Sequence, residues 1–113
     1  MEPSSKDPAE GDFRADPSGA AATWAPRLKA LADENRLTLA LLIAEAPRTV
    51  KELEEATGMS QTLVSYHLKP LRDQGLVTAT AEGRSNRYDL CCGEIVEVVA
   101  GLSQLANARP VAG

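Results

Sequence analysis

The 113-residue chain is poor in the side chains that most protein chemistry uses. It has one histidine, His67, and two cysteines, Cys91 and Cys92, which are neighbours in sequence. Two adjacent cysteines cannot supply a disulfide framework, which fits a reducing compartment. No serine or cysteine nucleophile is placed with His67 in a recognisable arrangement, and there is no glycine-rich phosphate loop, so the machinery of an enzyme is missing. No run approaches the roughly 18 apolar residues of a membrane span. The acidic amino terminus lacks the apolar segment of a secretory signal. These absences predict a cytoplasmic protein that is neither an enzyme nor attached to a membrane.

An excess of positive charge is missing too, since the net charge is −4. Its distribution matters more than its sum. In Met1 to Ala20, five acids (Glu2, Asp7, Glu10, Asp12 and Asp16) stand against Lys6 and Arg14 and leave −3. In Met59 to Tyr88, Lys69, Arg72, Arg84 and Arg87 outnumber Asp73 and Glu82 and leave +2. A locally basic face on an acidic molecule is compatible with nucleic-acid binding.

What is present is organised around Thr49 to Tyr88. Thr49-Val50-Lys51-Glu52 has the form of a capping box and starts a helix at Val50. Gly58 supplies the positive φ that ends it, and Ser60 caps a second helix. There Val64, Leu68 and Leu71 form an apolar stripe toward the core. The other face presents Gln61, Thr62, Ser65, Tyr66 and Lys69, polar groups able to reach base edges and phosphates. His67 falls between the two faces, and Pro70 predicts a bend. Gly75, flanked by Leu71 and Leu76, has the pattern of a Schellman ending. A strand at Val77 to Ala81, a turn at Glu82-Gly83-Arg84 and a strand at Asn86 to Leu90 follow. The architecture expected is mainly α with a small β wing, a winged helix-turn-helix. Its DNA-binding residues would be Ser60, Gln61, Thr62, Ser65, Tyr66, His67 and Lys69 on the recognition helix, with Arg84 and Arg87 on the wing.

Around this unit, Met1 to Gly19 has the composition of a disordered acidic tail. Residues 20–108 form the domain, and 109–113 are a short tail. Trp24, Leu28 and Leu31 keep helical spacing in a first helix from Ala20 to Ala32, with Pro26 expected in its first turns. A second helix from Asp33 should turn Leu37, Ala40, Leu41 and Ala44 to the core, with Leu39, Leu42 and Ile43 widening the apolar arc, until Pro47 ends it. After the wing, Gly93 to Ala108 form a last helix whose stripe of Ile95, Val98, Val99, Leu102 and Leu105 lies outside the winged-helix core. Such a stripe is either a seam for a second copy or the face by which the helix folds back on its own domain.

In order along the chain, Leu31-Ala32-Asp33-Glu34-Asn35-Arg36-Leu37, Ser60 through Val77, Glu82-Gly83-Arg84 and Tyr88-Asp89-Leu90 resemble the arsenic-repressor (ArsR/SmtB) family of transcriptional regulators. The resemblance runs from about Trp24 to Leu105. It implies a homodimer, joined through first and last helices with Trp24 and Leu28 as the surface matching the last helix, that binds double-stranded operator DNA as a repressor and responds to a metal ion or a thiol state. Similar metal-responsive proteins carry a cysteine motif on the third helix, but Val50 to Thr57 has neither cysteine nor histidine. A site of carboxylates and histidines on the last helix would find only Glu94 and Glu97 here. Cys91 and Cys92 admit three readings: inert thiols, a redox pair, or ligands to a transition metal such as zinc, nickel or cadmium. The alternative function is a winged-helix module that binds another protein, or a regulator that senses through an accessory protein.

Overall fold

The computed structural model describes residues 16–91 and 93–106. The acidic tail as far as residue 15, Cys92, the end of the expected last helix and the 109–113 tail lie outside the described residues. The element order is α1 (Pro17–Leu31), α2 (Glu34–Glu45), β1 (Arg48–Thr49), α3 (Val50–Thr57), α4 (Gln61–Asp73), β2 (Val77–Glu82), β3 (Ser85–Leu90) and α5 (Glu94–Ala106).

The first helix begins earlier than its apolar spacing indicates. The Asp16 carboxylate accepts the Gly19 amide at 3.1 Å, and Pro17 follows at the first helical position, where a missing N–H costs nothing. Pro17 to Gly19 therefore belong to the helix and not to a disordered tail. This places Pro26 well inside α1 and not in its first turns, so the carbonyl one turn before it loses its helical partner. Asp33 then caps α2 by accepting the Arg36 amide at 3.1 Å. That bond, ahead of the Arg36 and His67 charges, holds the Asp33 carboxyl below its ordinary range.

In α2 the core face differs from the expected one. Leu39 and Ile43 are completely buried, whereas Leu37 and Ala44 are exposed and Leu41 is 60% exposed. Apolar residues surround this helix, so spacing alone cannot choose a side. The choice is made by packing between α1, α4 and β3.

The centre of the chain folds as its caps dictate. Thr49 N–H donates to Glu52 Oε1 at 2.9 Å and Glu52 N–H donates to Thr49 Oγ1 at 3.1 Å, closing the capping box. Gly58 ends α3 at φ 80°, and Ser60 Oγ accepts the Leu63 amide to open α4. After α4, Leu76 N–H reaches Leu71 O and Gly75 N–H reaches Arg72 O, both at 2.9 Å, with Gly75 at φ 73°. This is the Schellman arrangement, and Leu71 and Leu76 are both buried beside it. Helix α4 continues through Pro70 to Asp73. Leu53, Val64, Leu68 and Leu71 join Leu39 and Ile43 in one core.

The wing has a third member. β2 and β3 pair antiparallel from Val77 opposite Leu90 to Glu82 opposite Ser85, and β1 pairs with the other edge of β3, Arg48 opposite Tyr88. The sheet order is β1-β3-β2.

The Glu52 carboxylate sits where β1, α3 and the wing meet. Its acidity is strengthened first by the Thr49 amide and then by the Arg87 and Arg48 charges. A carboxyl whose folded value is depressed stabilises the fold above its unfolded value, here the ordinary 4.5, and loses that contribution as pH falls through the folded value. Glu52→Gln should therefore lower the thermal midpoint at pH 6, and its difference from the parent should shrink steadily as the pH is taken below 4.5. A constant difference across that range would place the effect outside the charge.

Candidate nucleic-acid interface

Helix α4 is divided into two faces. Val64, Leu68 and Leu71 are sealed in the core, while Gln61, Thr62, Ser65 and Lys69 are exposed and Tyr66 is 68% exposed. Gln61, Thr62 and Ser65 make no side-chain hydrogen bond among the described residues, so their donors and acceptors face solvent. Ser60 is exposed as well, but its hydroxyl is already used as the cap. Lys69 Nζ lies 3.2 Å from Asp73 Oδ2, an exposed pair one turn apart that costs little to open.

His67 does not share this face. It is only 6% exposed and turns toward the start of α2, with Nε2 3.3 Å from Asn35 Nδ2 and Nδ1 3.8 Å from Asp33 Oδ2. The second distance is too long for a hydrogen bond, and Nδ1 is buried without a partner among the described residues. The Tyr66 ring meets the imidazole edge-on at 5.1 Å. His67 thus packs α4 against the start of α2 and stands off the polar face on which it was expected.

The two wing arginines also divide. Arg84 is exposed beside Gly83, which takes φ 64° at the turn, and it makes no ion pair among the described residues. Arg87 is engaged within the protein. Its Nε donates to Glu82 Oε1 at 2.5 Å, and its Nη1 reaches Glu52 Oε1 at 3.4 Å and Pro47 O at 3.2 Å. Those carboxylates raise its already high pKa. Arg87 braces the wing against α3 through Nε and Nη1, a role its position in sequence could not reveal because Glu52 is 35 residues away.

The expected dimer surface splits in the same manner. Val98 is completely buried and Ile95 half-buried within the single chain. The ring of Trp24 lies against Gly101, where a Cβ would fall 1.9 Å from Trp24 Cη2. Arg27 Nη1 adds an ion pair to Glu97 Oε1 at 3.3 Å. Trp24 and Arg27 thus join α1 to α5 of the same chain, Ile95 packs against the main core, and Leu28 is half-buried. Val99, Leu102 and Leu105 remain exposed, together with Val96, which the stripe read from sequence had missed.

The family resemblance implies a metal, and the described residues do not fit one. Among them no group of three or more histidine, cysteine, aspartate or glutamate side chains could hold an ion. Glu97 is taken by Arg27, and Cys91 is half-buried with its amide donating to Leu76 O at 3.0 Å. Cys92 lies outside the described residues.

A capped two-helix unit with one polar face, followed by a three-stranded wing with a free arginine at its tip, is a winged helix-turn-helix. Comparison with known proteins agrees. Residues 33–79 match the model of the bacterial regulatory protein, arsR family. The regulator NmtR of Mycobacterium tuberculosis is 44% identical over 65% of this chain and 61% of its own length. The transcriptional activator HlyU of Vibrio cholerae is 33% identical over 69% of this chain and 72% of its own. A homodimeric winged helix-turn-helix DNA-binding domain from Mycobacterium bovis superposes with a TM-score of 0.64 at 27% identity, over 100% of this chain and 96% of that one. The chain belongs to the ArsR family. It spans 58% to 62% of the length of several curated relatives it matches. Among the described residues no helix is long and apolar enough to cross a membrane.

Proposed function

We propose that the protein is a homodimeric, sequence-specific transcriptional regulator that binds operator DNA. The observation that carries this reading is the exposed face of α4, where Gln61, Thr62 and Ser65 have no internal partners while the opposite face anchors the helix in the core. Base edges in a major groove offer what these groups lack. The exposed apolar residues Val96, Val99 and Leu105 on α5 supply the seam for a second copy, so that two recognition helices meet half-sites about one helical turn apart. The family resemblance favours repression. A reporter driven by the protein's own promoter should then rise when the gene is deleted.

A mobility shift with that promoter, run at two salt concentrations, tests DNA binding, and sedimentation of the free protein tests the dimer. A monomer at micromolar concentration that binds one half-site would overturn the reading. In the same assay Arg84→Ala should weaken specific and scrambled DNA alike and reduce the salt slope by about 1, as expected of a phosphate contact. An unchanged slope would remove the wing tip from the interface.

A cysteine-based effector response requires Cys91 in the reduced state. Operator affinity of the reduced protein should then change on adding cadmium or zinc, and the double variant Cys91→Ser with Cys92→Ser should not respond. The accessory-protein reading draws on Leu37 and Leu41, which leave an apolar strip of α2 facing solvent.

A further inference from the structure

Between the second half of α1 and the far half of α4 lies an open cleft of about 500 Å³. That volume is in the range of small-molecule sites. Its floor is apolar: Pro26 from α1, Pro70 from α4 and the buried Ala30. Both prolines sit inside helices, where they present a flat ring in place of a long side chain. Tyr66, the most exposed aromatic ring on α4, stands at one wall.

The rim is cationic. Lys29, Arg36 and Lys69 border the cleft against one carboxylate, Asp73, which Lys69 already pairs. Arg36 is held in place, because its Nε donates to Ala30 O at 2.7 Å and its Nη2 to Lys29 O at 3.2 Å, across the end of α1. Lys29 has no ion pair among the described residues. A fixed guanidinium and a free ammonium beside an apolar floor match a ligand with a flat apolar body and one negative charge. A divalent cation would be repelled, and a DNA phosphate would make no use of the floor.

We infer that this cleft binds a small amphipathic organic anion, such as an aromatic carboxylate, and that the bound anion competes with operator DNA. The competition rests on the DNA-binding reading above, because Tyr66 and Lys69 belong both to the cleft and to the polar face of α4. A ligand that binds only the DNA-free form lowers apparent operator affinity by the factor one plus its concentration over its dissociation constant.

The test uses the full chain and 1-naphthoate as probe. Amide resonances of Lys29, Ala30, Tyr66, Lys69 and Gln74 should shift together on titration. The neutral 1-naphthalenemethanol, with the same body, should bind about tenfold weaker, and so should 1-naphthoate to Lys29→Glu, whose substituted side chain is exposed. At ten times its dissociation constant, 1-naphthoate should reduce operator affinity about tenfold in the parent protein. Absence of shifts at those amides into the millimolar range, or equal binding of the neutral analogue, would overturn the site. Shifts without any loss of operator affinity would overturn the competition. If operator DNA alone moves the Lys29 amide while 1-naphthoate does not, the cleft is a DNA-backbone contact and the inference falls. If no operator is bound at all, the DNA-binding reading fails, and the amide shifts still decide the site independently.

Discussion

Replacing Gln61 and Ser65 together with alanine should lower operator affinity by about 10- to 100-fold, leaving affinity for scrambled DNA close to that of the parent. A well-made contact to a base edge contributes about 1–3 kcal/mol of discrimination, and each 1.4 kcal/mol is tenfold in affinity. Neither side chain has a bonding partner inside the protein, and both are exposed. Alanine is also the better helix former, by up to about 0.7 kcal/mol per site. The thermal midpoint should thus hold or rise slightly while specificity falls. That combination separates a reading role from a structural one. Equal losses on both DNAs would show that the two residues only anchor, and no loss on either would remove this face of α4 from the interface.

The second large effect is expected at the contact of α1 with α5. Gly101→Val should destabilise the protein by about 1–3 kcal/mol, the usual cost of overpacking. Valine would gain a few tenths of a kcal/mol in helix propensity over glycine. That gain is too small to offset the collision, because even a Cβ would stand 1.9 Å from the Trp24 ring. Either the ring leaves its site or α5 moves away from α1, and each displaces the exposed residues through which a second copy would dock. Trp24→Ala, which removes the ring, should be destabilising on its own through lost packing. Combined with Gly101→Val it should cost clearly less than the sum of the two, as contacting residues do. Urea unfolding at one fixed protein concentration reads the energies, and sedimentation reads the dimer. Strict additivity would mean that the ring does not rest on Gly101 in solution.

Local signals were the legible ones. The Thr49–Glu52 box, the Ser60 cap, Gly58 and the Gly75 ending each involve residues within a few positions of one another, and each forms the bonds its pattern announces. The side of α4 that faces solvent could be read because only one stripe of that helix is apolar. Helix α2 gave no such contrast, and its inner face followed from neighbours far along the chain. Distance in sequence also hid the functions of Arg87 and Trp24. Arg87 looks like a free wing cation until Glu52 arrives beside it, and Trp24 looks like a surface anchor until Gly101 opens room for its ring. His67 stood on the border of two faces, and tertiary packing with Asn35 decided its side. The short β1 strand went unread because two residues carry no periodicity.

The separation of tasks on α4 has an evolutionary consequence. The residues that would read DNA, Gln61, Thr62 and Ser65, have no side-chain partner among the described residues, whereas Val64, Leu68, Leu71 and the buried His67 hold the helix in place. If the first set reads DNA as proposed, a mutation there would alter which operators are bound without endangering folding. After gene duplication, daughter copies can therefore drift to new promoters by single steps, each passing through a stable protein, with no compensating change required in the core.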